Sequence, residues 1–230
     1  MSKYLAFFVA LFLSITTSWA EALLPRVKRD IPQRGVSPFR SGQVRLTTTR
    51  LESELLGLLA ELGLEVHPNA KHRISLELET EIEGLPKGNE EAYKLSITSD
   101  LISLKAYTDT GLYRGLQTLS QLYERGEWRA RVILDWPAFP WRGFMMDVGR
   151  TYIPLEQLKQ EIDLLARFKV NVFHWHLTEN EAWRLESKLY PKLNDRASMT
   201  RMAGRYYTQR EVRELVQYCK ACHVLLIPEI

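Results

Sequence analysis

Three short apolar runs punctuate the second half of this chain: FMMDV at 144–148, VNVFHWHL at 170–177 and VLLI at 224–227. Helical patterns separate them. After the first, Pro154 opens a run with Leu155, Leu158, Ile162 and Leu165 at helical spacing. Proline suits a first turn, where its missing N–H costs nothing. Before the third, Thr208-Gln209-Arg210-Glu211 spells a capping box, with Val212, Leu215, Val216 and Cys219 sharing one helical face. Strand, helix, strand, longer connection with helix, strand is the rhythm of a parallel sheet. The aromatic, proline-rich PAFPW (137–141) reads as a rigid connector, so the boundary is expected near 135–140.

The residues before that boundary follow another pattern. Residues 21 to about 42 are rich in Pro, Arg and Gly and read as extended chain and turns. Leu51, Leu55, Leu58, Leu59 and Leu62 recur at helical spacing, and Gly63 follows as a stop. Ile74, Leu76 and Leu78 alternate along a strand, as do Tyr93, Leu95 and Ile97, then Ile102, Leu104 and Ala106. The last two runs flank Ser99-Asp100, which predicts an antiparallel hairpin. A second helix is predicted from about Thr110, with Leu112, Leu116, Leu119 and Tyr123 on one face. The expectation is an α+β domain: a small antiparallel sheet covered by two helices.

The first twenty residues stand apart. Lys3, the apolar LAFFVALFLSI (5–15) and Ser18-Trp19-Ala20 form an export signal, with cleavage expected before Glu21. The mature chain is then expected in the periplasm or outside the cell. No cysteine follows the apolar run, which argues against a lipid anchor, and no later segment is apolar enough to span a membrane. A formal charge of +3 without a long basic cluster gives no reason to expect a nucleic-acid partner.

Cys219, Cys222 and His223 spell C-x-x-C-H, the attachment pattern of a c-type haem. The same residues extend the apolar stripe of the last helix, so the thiols read as small core hydrophobes. His223 stands where that helix must end, with no loop to receive a macrocycle. A Cys219–Cys222 disulfide is conceivable after export, although positions three apart on a regular helix are poorly placed for one.

The stretch from Trp141 to Leu193, with the P-x-F-x-W-R-G-x-x-x-D-x-x-R motif that starts at Pro137 and the F-H-W-H-L-T motif, resembles the start of the catalytic barrel of glycoside hydrolase family 20, the β-N-acetylhexosaminidases. HVLLIPEI (223–230) is similar to that barrel's third strand. EAYKLSIT, TGLYRGLQTLSQL and ILDWPAFPWRG are similar to the small domain before it. The fold implied is α/β: an export signal at 1–20, an α+β domain at 21–136, and at 137–230 the first three strand units of an incomplete TIM (β/α)₈ barrel. The activity implied is removal of terminal β-linked N-acetylglucosamine or N-acetylgalactosamine with retention, the substrate's own acetamide serving as nucleophile. The partners are glycans ending in an N-acetylhexosamine, and no cofactor is implied.

The resemblance also implies roles. Arg142 matches the arginine that grips the sugar's outer hydroxyls, a task suited to a permanently charged fork. Asp147 and Arg150 fill a D-x-x-R pattern and read as an architectural pair. His174 and His176 point the same way along one strand. His176 lies nearer its C-terminal end, where barrel active sites form, and reads as a wall residue in support. Glu179 stands where many relatives have the first of two aspartates supporting a histidine relay to the proton donor. Asn180 replaces the second. Trp183 and Arg184 read as packing. Two histidines and Glu179 alone do not make a metal site, so none is expected.

No catalytic residue is expected within the chain; the Asp-Glu acid pair is expected beyond Ile230. That pair belongs to an H-x-G-G-D-E motif after the family's fourth strand, which is absent here, as are the usual D-x-P-G-H after P-E-I and the tryptophans of the acetamide pocket. A complete barrel takes roughly 250 residues. The chain is therefore expected to be an amino-terminal fragment, inactive alone. The alternatives are a non-catalytic carbohydrate-binding module or the haem protein.

Overall fold

The computed structural model describes residues 23–36, 42–47, 50–126 and 129–230, and the expected export signal at 1–20 lies outside them. The chain divides into two units, one ending at Pro137 and the other beginning at Ala138.

The first unit is built on seven strands: β1 (Arg29–Val36), β2 (Gly42–Leu46), β3 (Leu64–Val66), β4 (His72–Leu78), β5 (Tyr93–Ile97), β6 (Leu101–Ala106) and β7 (Arg129–Asp135). Their order in the sheet is β1-β7-β5-β6-β4-β2-β3. The predicted hairpin is present, with Ile97 opposite Ile102. The sheet as a whole is mixed, which corrects the expectation of an antiparallel one. β1, β7, β5 and β6 pair antiparallel, whereas β6, β4, β2 and β3 pair parallel. Two connections cause this. Helix α1 (Glu52–Glu61) carries the chain from β2 to a parallel neighbour, β3. The segment after β4 skips one position to lay down β5, and the hairpin then returns β6 into the gap, parallel to β4.

Helix α2 (Asp109–Glu124) and α1 contribute the leucines predicted for them to one core. Leu55, Leu59, Leu112, Leu116 and Leu119 lie there with Ile74, Leu76, Leu95 and Leu104 of the sheet. Two glycines one turn apart let α2 approach closely. A Cβ on Gly111 would stand 2.7 Å from the Ala92 carbonyl oxygen, and one on Gly115 would stand 2.3 Å from Leu104 Cδ1. Thr118 and Gln121 of α2 pair with groups outside the helix: the Tyr93 hydroxyl lies 2.5 Å from Thr118 Oγ1 and donates to Asp135 (3.1 Å). The Gln121 amide donates to the Leu24 carbonyl (2.6 Å) and accepts the Leu24 N–H (3.0 Å).

The second unit holds a three-stranded parallel sheet made of β8 (Gly143–Asp147), β9 (Val172–His176) and β12 (Leu225–Glu229), in the order β12-β9-β8. Helix α3 (Leu155–Arg167) joins β8 to β9, and α4 (Gln209–Ala221) leads into β12. The predicted capping box is formed: Glu211 N–H donates to Thr208 Oγ1 (3.2 Å), and Thr208 N–H donates back to the Glu211 carboxylate (2.7 Å). A small antiparallel pair, β10 (Thr178–Glu179) and β11 (Ala182–Trp183), follows β9.

Both helices end in the same way. Lys169 after α3 and His223 after α4 are left-handed, with φ of +60° and +52°. Val170 N–H reaches back to the Leu165 carbonyl and Val224 N–H to Cys219, each at 2.9 Å. Lys169 and His223 N–H groups bond to Ala166 and Lys220. These are Schellman stops with non-glycine residues at the left-handed position, which histidine tolerates better than most. The C-x-x-C-H sequence is therefore the end of a helix. Its two thiols are buried and not joined to each other, and burial pushes the Cys219 thiol up to about 12.

Candidate active site

Parallel register places equivalent residues of the three strands in rows. Asp147 lies beside His176, and His176 beside Glu229, at the C-terminal ends of the strands. One row back stand Met145, His174 and Ile227. Strand alternation turns both rows to the same face. Behind them this face forms an open concavity of about 480 Å³, lined by Trp141, Gly143, Met145, Val172, His174 and Ile227.

The polar row is connected. Glu229 Oε2 lies 2.8 Å from His176 Nδ1 and 2.7 Å from His174 Nε2. The other ring nitrogen of His176 lies 3.2 Å from Glu179 Oε1. That same oxygen accepts from Arg150 Nη2 at 2.5 Å, while Arg150 Nη1 bonds to Asp147. Local structure brings Glu179 here: the β10–β11 pair folds directly after β9, with Asn180 in the turn between its strands.

Charge follows from these contacts. The hydrogen bond that His176 donates to Glu229 raises its pKa above the ordinary 6.5 against the opposing effect of burial, and Glu179 and Asp147 add to the rise. The Glu229 carboxyl is held below its usual value, first by His176. For Asp147, burial acts upward, but the backbone N–H and guanidinium of Arg150 outweigh it and lower the pKa. Neither Asp147 nor Glu229 is thus tuned to carry a proton at neutral pH, as a general acid must be. The arrangement suits binding of hydroxyls and support of a proton relay. Among the described residues, no group of three or more His, Cys, Asp or Glu side chains is arranged to hold a metal ion.

The structure brings Asp147, His176 and Glu179 together around Arg150. It does not bring Arg142 to them. Arg142 precedes the first residue of β8, five residues before Asp147, or about 16 Å at strand rise. Its Nε donates to the Lys169 carbonyl (2.8 Å) and its Nη1 to Phe139 (2.7 Å). Its backbone N–H donates to Asn171 (2.9 Å). The guanidinium ties the connector to the Schellman stop of α3, at the opposite end of the sheet. The cation at the candidate site is Arg150, whose side chain is half exposed. Glu229 is a further member that sequence reasoning missed; its signal was an acid at the C-terminal end of a strand adjacent to VFHWH. Ile230, the residue beyond which the acid pair is expected, follows β12 directly. Its apolar side chain is exposed and adds no functional group to the row.

One family model, glycosyl hydrolase family 20, domain 2, matches residues 25–136, and a second, the catalytic domain of the same family, matches residues 139–230. The chain belongs to glycosyl hydrolase family 20. A β-hexosaminidase of Porphyromonas gingivalis is 36% identical over 214 residues, covering 80% of this chain and 27% of that protein. A β-hexosaminidase of Vibrio furnissii is 37% identical over 163 residues, covering 63% of this chain and again 27% of the relative. The chain therefore spans about a quarter of the length of these curated relatives. Among solved family 20 structures, an exo-β-N-acetylglucosaminidase of Vibrio harveyi in complex with N-acetylglucosamine aligns with a TM-score of 0.74 and 28% identity, over 90% of this chain and 36% of that one. A β-N-acetylhexosaminidase of Bacteroides fragilis aligns with a TM-score of 0.75 and 27% identity, over 91% and 44%. No helix among the described residues is long and apolar enough to cross a membrane.

Proposed function

We propose that this chain is the amino-terminal part of an exported β-N-acetylhexosaminidase, and that residues 138–230 are the first three strand units of its (β/α)₈ barrel. In the whole enzyme, terminal β-linked N-acetylglucosamine or N-acetylgalactosamine would be released with retention, the substrate's acetamide oxygen attacking the anomeric carbon. One observation carries the reading: in a family 20 chain, Asp147, His176 and Glu229 form a connected row at the C-terminal ends of parallel strands, where barrel enzymes place their sites.

Roles follow from position. Arg150 takes the part of gripping sugar hydroxyls that the resemblance assigned to Arg142, because it alone of the two stands at this end of the sheet. Glu179 and His176 form the supporting relay, and Asp147 orients Arg150. The proton donor is supplied by sequence beyond Ile230. Two measurements test the proposal. The 230-residue chain should release no p-nitrophenol from p-nitrophenyl N-acetyl-β-glucosaminide, whereas the product of the extended reading frame should release it and lose at least tenfold on Arg150→Met. Turnover by the 230-residue chain that disappears on Glu179→Gln would overturn the assignment of roles. Cell fractionation tests export.

A further inference from the structure

Arg184 is wholly buried, and among the described residues its guanidinium has no carboxylate as a hydrogen-bond partner. Burying an ion is costly unless its donors are satisfied. Here backbone satisfies them. Nε donates to the carbonyls of Val148 (3.1 Å) and Gly149 (3.2 Å). Nη1 donates to Met202 (3.2 Å) and Arg205 (2.8 Å), and Nη2 to Arg201 (2.9 Å). Five carbonyls from two separate loops thus converge on one side chain.

The choice of loops matters. Val148 and Gly149 are the two residues between Asp147 and Arg150. Their turn is fixed from the other side as well: a Cβ on Gly149 would stand 3.0 Å from the Thr178 carbonyl carbon and 3.1 Å from Glu179 N and Cβ. The turn is therefore clamped between Arg184 and the strand that carries Glu179. From this clamp Arg150 reaches Asp147 and Glu179 together. We propose that Arg184 is a positioning residue: by gathering the carbonyls of Val148 and Gly149 with those of the 201–205 loop, it sets where the Arg150 guanidinium stands against Glu179. A role in sugar recognition rests on the hexosaminidase reading; the positioning does not.

The consequence is measurable at His176, which shares Glu179 Oε1 with Arg150. The titratable and charged groups around His176 are Glu229, which it shares with His174, and Glu179 and Asp147, for which Arg150 competes. If Arg150 lets go, more of the Glu179 charge falls on His176 and its titration midpoint rises. The test is long-range ¹H–¹⁵N correlation of the imidazoles against pH in the 230-residue chain, with His176→Gln for assignment. Arg150→Met and Arg184→Lys should both raise the His176 midpoint, by about half a unit. An Arg184→Lys chain that is folded, melts lower and yet titrates like the parent would reduce Arg184 to a stabilising residue and overturn the proposal. So would an Arg150→Met chain with an unmoved midpoint. Should Arg184→Lys fail to fold, Gly149→Ala displaces the same turn from the Glu179 side; it must move the midpoint, and no movement overturns the proposal. N-acetylglucosamine added to the product of the extended reading frame reads the other question separately: absence of sugar-induced shifts there counts against the hexosaminidase reading and leaves the titration result standing.

Discussion

Replacing Tyr207 by phenylalanine removes one oxygen and leaves the ring. Tyr207 is wholly buried, with its ring 4.8 Å from that of Tyr152 and 4.7 Å from that of Trp175. Those contacts survive the substitution. What is lost is a two-way link to Ile153, just ahead of α3: the hydroxyl donates to the Ile153 carbonyl (2.6 Å) and accepts its N–H (3.3 Å). A net hydrogen bond contributes about 0.5–1.5 kcal/mol, so the pair is worth about 2 kcal/mol. Ile153 is partly exposed, and water reaching it keeps the loss from growing further. With a urea slope of about 1–2 kcal/mol/M, the unfolding midpoint should fall by roughly 1–2 M with the slope unchanged. Trp175 beside the substituted ring makes tryptophan fluorescence a suitable signal. A midpoint within about 0.2 M of the parent would show that the hydroxyl link contributes nothing, and that Tyr207 acts through its ring alone.

Other outcomes are expected. Gly115→Ala should destabilise the first unit by roughly 1–3 kcal/mol through collision with Leu104, despite alanine's better helix propensity; thermal melting checks it, and a rise in Tm would contradict the close approach of α2. Thr208→Ala removes half of the capping box and should cost about 1 kcal/mol in the same urea assay, with Thr208→Ser nearly silent. The His176–Glu229 pair gives stability a pH window. The raised His176 contribution is full below its unfolded value of 6.5 and fades as pH rises through the higher folded value. The lowered Glu229 contribution is full above its unfolded 4.5 and fades as pH falls through the lower folded value. Stability should accordingly decline as pH rises past about 6.5 and through the higher folded value of His176, and Glu229→Gln should flatten that decline.

Elements with strong local signals were legible in the sequence. The leucine stripes of α1 and α2, the 93–106 hairpin and the Thr208 capping box all depend on neighbours a few residues apart. Sheet topology was not, because the pairing of β4 with β6 depends on where the chain returns, which alternation does not encode. The same limit applies to the site. His176 and Glu179 are three residues apart and were read together. Glu229 joins them only through the parallel register of two strands more than fifty residues apart in sequence. The arginines illustrate a different gap. Arg142, Arg150 and Arg184 look alike as letters, yet one ties a connector, one faces the site, and one is buried among carbonyls. Motif matching could not assign those tasks, since each depends on which end of a strand the guanidinium reaches.

The pairing of Gln121 with Leu24 has a practical corollary. A primary amide presents the same donor and acceptor as a peptide group, so this side chain imitates a neighbouring strand for a single residue. The chain around Leu24 is thereby moored to α2, almost a hundred positions away in sequence. Whatever polypeptide comes before it, native or a purification tag, leaves from one fixed point near the C-terminal half of that helix. Glutamate at position 121 would set a carboxylate oxygen against the Leu24 carbonyl and cast off the mooring.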